Sequence, residues 1–148
     1  MKERASKDKI RGEFEKLYKT ASKKDILRAV EESDKIYQKV AKSSVFEKEI
    51  AKVRLLLMLL KDYWNGKYTS LPYRTILAIA VALLYILNPI DLIPDVLPLI
   101  GLTDDLTMLL FVWEMVSKDV EEYALWKAEN TDSESVKKLI EEAFSEED

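Results

Sequence analysis

Apolar residues recur along this chain at intervals of three and four, and no segment alternates apolar with polar as a strand does. Ile10, Phe14, Leu17 and Ala21 form a first stripe with Lys and Glu between them, which predicts a short amphipathic helix. Ser22, followed three residues on by Asp25, has the form of a capped helix start. The helix it opens carries Ile26, Leu27, Val30, Tyr37 and Val40. Ser33 and Asp34 interrupt that stripe, so the helix is expected to be half buried.

Ser44 and Glu47 predict the start of a third helix over 45–64. Phe46, Ile50, Val53, Leu57, Leu60 and Trp64 give its core-facing stripe. The apolar run at 55–60 widens that stripe nearly all the way round, as in a helix inside a bundle. Asn65 and Gly66 are suited to end it, with the glycine left-handed.

Pro72 is placed in the first turn of the next element, where its missing N–H costs nothing. Residues 76–87 are then apolar without a break, until Asn88 and Pro89 predict a stop. Thr103 is expected to cap a new helix, with Asp104 and Asp105 in its first turn, where the helix dipole favours negative charge. Leu106, Leu109, Trp113, Val116, Val120 and Tyr123 form its stripe. Thr131 and Glu134 open a last short helix carrying Val136, Leu139, Ile140 and Phe144.

These stripes need one another for burial. They predict an all-α fold, a compact helical bundle of five to seven helices. Its centre is the pair 73–87 and 103–126, joined by a proline-rich reversal and packed on 45–64. A chain of 148 residues suits a single domain, 1–148.

Composition removes several chemistries. Without cysteine there is no disulfide, thiolate metal site or thiol nucleophile. Without histidine there is no Ser-His-Asp triad, and the commonest general base and zinc ligand are gone. Any catalysis would rest on carboxylates, lysines or a carboxylate-bound hard metal. Charge is uneven. Residues 1–67 hold 18 Lys and Arg against 11 Asp and Glu, a balance of +7. Residues 68–148 hold 5 against 16, a balance of −11. The first 25 residues are charged and lack the apolar stretch of a signal peptide.

The stretch 88–105, NPIDLIPDVLPLIGLTDD, is the most distinctive in the chain. Pro89, Pro94 and Pro98 forbid a long regular helix. Its many Ile, Leu and Val residues are too apolar for an exposed loop. A buried reversal leaves backbone N–H groups in need of acceptors, and Asp91, Asp95, Asp104 and Asp105 can supply them.

From about Asp62 to Trp126 the chain resembles the YkvA-like family. The resemblance rests on Asp62, Gly66-Lys67-Tyr68, Leu71-Pro72, Tyr85, the NPIDLIPD string, Pro98, Gly101 and Asp104-Asp105. It implies a compact helical unit often associated with membranes, and it supplies no reaction and no catalytic residues. With it the chain divides into a basic amphipathic helical extension (1–44), a YkvA-like helical core (45–128) and a short C-terminal helix with an acidic tail (129–148).

Two readings of the four aspartates compete. As helix caps and loop braces they are structural. As a metal site, Asp91, Asp95, Asp104 and Asp105 would converge on a hard divalent cation such as Mg²⁺. Their spacing is not that of an EF-hand loop. A two-carboxylate hydrolase has the chemistry but no accompanying substrate-binding residues.

A helix over 76–87 reaches about 18 Å, short of the ~30 Å hydrocarbon core. Extending it through the motif would bury Asp91 and Asp95 at about 2.5–3.5 kcal/mol each. A helix buried in protein is therefore expected, in a cytoplasmic, membrane-associated protein. Lys7, Lys9, Arg11, Lys16, Lys19, Lys23 and Lys24 lie near Phe14, Leu17 and Tyr18, as in a helix resting on an anionic surface. Glu13, Glu15 and Asp25 dilute that charge, which also fits an ordinary solvated lysine face. The leading expectation is a non-enzymatic interaction or scaffold protein with a protein or peripheral membrane partner. A carboxylate metal-binding protein is the alternative. Nucleic acid is disfavoured for want of a motif.

Overall fold

The computed structural model describes the backbone of residues 2–92 and 98–145 and the side chains of residues 7–87 and 104–145. Among the described residues there are seven α-helices and no strand: α1 (Lys2–Thr20), α2 (Lys23–Glu31), α3 (Ser33–Ala41), α4 (Ile50–Trp64), α5 (Tyr73–Leu92), α6 (Pro98–Glu129) and α7 (Glu134–Phe144). The all-helical expectation holds. Of the reversal expected between the central pair, 88–92 and 98–102 are helical, and 93–97 lie outside the described residues.

α5 is the axis of the molecule. Every residue from Thr75 to Leu84 is buried, because α6, α2, α1, α3 and α4 all pack against it. Its unbroken apolar run is thus matched by protein on all sides. The α5–α6 seam is the most extensive contact in the fold. α6 presents Met108, Leu109, Val112, Val116, Val120 and Tyr123 to the core. α4 buries Val53, Leu55, Leu56, Leu57, Leu59 and Leu60, chiefly against α7, α2 and α3. α1 lies across α6 and α5 with Ile10 and Phe14 buried. Phe14 stacks on Tyr18 and tilts against Phe111 of α6, at centroid distances of 5.3 and 5.6 Å.

Five boundaries differ from the sequence reading. The helix expected from Ser22 onward is two helices. Glu32 leaves helical geometry (φ −96°, ψ 14°) while its N–H still reaches the Arg28 carbonyl at 2.9 Å. This break lets Ile26 and Ala29 on α2, and Ile36 and Val40 on α3, all face inward. The third helix starts in two steps. Ser43 accepts a hydrogen bond from the Val45 N–H at 3.1 Å and caps a 3-10 turn, Ser44–Phe46, before α4 begins.

α5 runs through Asn88 and Pro89 to Leu92 instead of stopping. Proline forfeits one N–H near a helix end, where few bonds remain to lose. Lys39 of α3 also donates to the Ile86 carbonyl and, at 3.1 Å, to the Leu87 carbonyl, bracing α5 just before Pro89. α6 begins at Pro98, not after Thr103. Proline at a first helical position is preorganised for it. Asp104 and Asp105 consequently lie beyond the first turn.

Two other expected ends hold. The Ser22 N–H donates to Asp25 Oδ2 at 2.8 Å. Gly66 closes α4 with φ +77°. α7 starts two residues later than the Thr131–Glu134 box predicts: its cap is Ser133, whose hydroxyl accepts from the Val136 N–H at 3.2 Å.

Candidate functional site

Two buried acids organise the polar interior. Asp105 occupies a core position of α6. Counting back from Val116 through Val112 and Leu109 in steps of four and three lands on it, one turn before Leu109 on the inner face of the helix. It is 0 % exposed, and neither carboxylate oxygen has a hydrogen-bond partner. Burial pushes its pKa up to about 8; Lys39 pulls the other way, and the neighbouring Asp104 adds to the rise.

The surroundings of Asp105 come from three other helices. Tyr85 of α5 is half-buried, and its phenol is pushed well above the ordinary range, first by burial and then by Glu13 of α1, Asp104 and Asp105. Lys9 of α1 approaches Asp104 at 3.8 Å in an exposed pair, a geometry that contributes little to stability. Lys39 of α3 completes the ring through its bonds to α5 carbonyls.

The second centre is Asp62, in the last turn of α4 and 6 % exposed. Its Oδ2 accepts from the Tyr123 hydroxyl at 2.6 Å and from the Lys127 ammonium at 2.9 Å. Its backbone carbonyl accepts from the N–H groups of Lys67 (2.8 Å) and Tyr68 (3.3 Å). The residue thus ties α4, the following turn and α6 together. Tyr68 meets the Tyr123 ring edge-on at 5.2 Å and tilts against Trp126 at 4.9 Å. Burial, then the Asp62 hydrogen bond and charge, push the Tyr123 phenol far above its ordinary range. Burial also raises Tyr68, with further contributions from Glu122 and Asp119. Nearby, the Thr75 hydroxyl donates to Asp119 Oδ2 at 2.6 Å, tying the start of α5 to α6.

Of the four aspartates singled out in the sequence, the side chains of Asp91 and Asp95 lie outside the described residues. Asp104 is half-buried and faces Lys9; Asp105 faces the core. Adjacent helical residues point about 100° apart, which sets Asp104 and Asp105 on different faces of α6. Among the described residues no group of three or more acids stands close enough to hold a metal ion. A brace needs a donor, and Asp105 has none. The sequence reading missed the Asp62 centre. Its signal was the spacing Leu55, Leu59, Asp62, which continues the inner face of α4 into an acid.

Residues 75–111 match the family described as "Protein of unknown function (DUF1232)". Over 81 residues the chain is 33% identical to the "Uncharacterized membrane protein YkvA" of Bacillus subtilis (strain 168), covering 55% of this chain and 76% of that protein. The chain belongs to the DUF1232 family. The YkvA-like resemblance read from the NPIDLIPD string is thereby borne out. No solved structure matches the chain. In this DUF1232 protein the matched segment takes in most of α5, residues 93–97 and the start of α6. Thr75, Tyr85 and Asp105 fall inside it; Asp62, Tyr123 and Lys127 fall outside.

Proposed function

We propose that this DUF1232 protein is a non-enzymatic interaction module that docks peripherally on anionic membrane surfaces. The observation that carries this reading is the exposure of the cations on α1 and at the start of α2. Lys7, Lys9, Arg11, Lys16, Lys19, Lys23 and Lys24 are all exposed, while the inner face of the same helix, Ile10 and Phe14, is committed to the core. The apolar stripe of α1 therefore attaches the helix to its own protein and leaves the lysines outward. Leu17, 41 % exposed among them, offers an apolar contact for the interface. Each such cation near an anionic bilayer contributes about 1 kcal/mol.

Two further facts support a peripheral mode. Among the described residues no helix is long and apolar enough to cross a membrane. The Bacillus subtilis relative carries the name of a membrane protein. Flotation with vesicles tests the reading. The protein is expected to rise with phosphatidylglycerol-containing vesicles at low salt and to stay behind with purely zwitterionic ones. The combined Lys16→Glu, Lys19→Glu, Lys23→Glu and Lys24→Glu variant is expected to lose most of that binding. Failure to float with anionic vesicles at low salt overturns it.

A further inference from the structure

Asp105 sits where a leucine would pack, and neither the family match nor the membrane reading accounts for it. A carboxyl with no exposed surface and no partner on either oxygen is costly in the charged form. It lies on the buried face of α6, close enough to α5 for its charge to act on Tyr85, and α5 and α6 make the most extensive contact in the fold. We infer that Asp105 is a proton-operated latch: protonated, it lets α6 lie closed on α5; ionised, it opens the seam at that level.

The groups around it define the response. Asp104 on the same helix opposes the charge, and Lys39 of α3 favours it. Tyr85 of α5 is raised first by burial and then by Glu13 of α1, Asp104 and Asp105, so it stays neutral and adds no second negative charge beside the carboxylate. Lys9 of α1 is engaged with Asp104 at the surface. Among the described residues Lys39 is the cation that acts on Asp105, and its ammonium already holds the carbonyls of Ile86 and Leu87 of α5, just before Pro89. A charged Asp105 draws that ammonium away from them. Ionisation thus disturbs both sides of the seam: a buried charge in α6 and a weakened hold on the Ile86 and Leu87 carbonyls of α5.

The sign follows from linkage. The folded state keeps its proton up to about pH 8, whereas the unfolded chain releases it near 3.8, the ordinary value for an aspartate. Between those limits the folded state binds the extra proton. This group's contribution to stability therefore falls as pH rises and levels off above about 8.

The test compares wild-type protein with Asp105→Asn by urea unfolding from pH 5 to 9. The groups common to both proteins cancel in the ratio of unfolding constants. That ratio, wild type over variant, is expected to rise by up to about tenfold per pH unit below 8 and then flatten. A ratio constant across the range overturns the latch. A second measurement covers an unfolded variant. Carboxyl carbon NMR of the wild type is expected to show one Asp titrating near pH 8, with the methyl signals of Ile86 and Met108 moving at the same midpoint. All aspartates titrating in the ordinary acidic range, or methyl signals indifferent to the midpoint, overturns it.

Discussion

Asp62 accepts from Tyr123 and from Lys127 through one oxygen, Oδ2, so a single truncation strands two groups. Asp62→Ala leaves a phenol with no exposed surface and a mostly buried ammonium without an acceptor. Breaking a buried pair in this way costs about 3–5 kcal/mol. Tyr123→Phe removes only the donor and is expected to cost about 1.5–3 kcal/mol, the range for a hydrogen bond to a charged group. Urea unfolding of both single variants and the double variant measures the coupling. Additive losses would mean that the hydroxyl and the carboxylate do not depend on each other. Both buried acids were legible as positions but not as roles. Asp62 follows Leu55 and Leu59 on the inner face of α4, and Asp105 precedes Leu109 and Val112 on that of α6. A spacing rule marks an inward position. It does not say whether a donor from another helix will meet the side chain there, and that difference separates the satisfied Asp62 from the unpartnered Asp105.

Helix interiors were readable and helix ends less so, for a physical reason. A stripe such as Val53, Leu57, Leu60 is reinforced by every turn, whereas an end depends on a few competing groups. Thr103 has the chemistry of a cap, yet Pro98 starts α6 before it. Pro89 has the chemistry of a stop, yet α5 passes through it with Lys39 on the Ile86 and Leu87 carbonyls just before it. Glycine shows how position decides the sign of one substitution. Gly66 ends α4 at φ +77°, and a methyl group there meets nothing within 4 Å. Gly66→Ala is therefore strained by its backbone alone and is expected to destabilise by about 1–2 kcal/mol. Gly12 lies inside α1, exposed and with open space around its Cα. Gly12→Ala is expected to stabilise α1 by about 1 kcal/mol, because alanine loses less backbone entropy in a helix. Denaturation midpoints of the two variants should move in opposite directions. A shared direction would mean that local backbone conformation does not set the effect.

At the scale of the whole molecule the uneven charge becomes an internal force. Residues 1–67 carry +7 and residues 68–148 carry −11, and α1 is laid on α6 across that divide. Ile10 and Phe14 supply the apolar contact, while Lys9 beside Asp104 marks where the opposite charges meet. That pair is weak alone, but the summed attraction of two oppositely charged halves acts over a Debye length, roughly 10 Å at 0.1 M salt and about 3 Å at 1 M. Raising NaCl from about 0.02 to 0.5 M should therefore lower the melting temperature by about 2–4 °C, equivalent to roughly 1 kcal/mol in a chain of this size. The residual net charge of −4 works in the opposite sense, since screening relieves self-repulsion; it is the smaller imbalance, so the fall should prevail. Lys9→Glu places like charges at the α1–α6 contact and should reverse the salt dependence in part. The same salt range should abolish vesicle flotation while the protein remains folded, because docking relies on exposed cations and the fold on a buried core. A melting temperature that climbs steadily with salt in the wild type would show that the two halves do not hold each other by charge. The lysines of α1 would then be free to act on an external surface without weakening the helix that carries them.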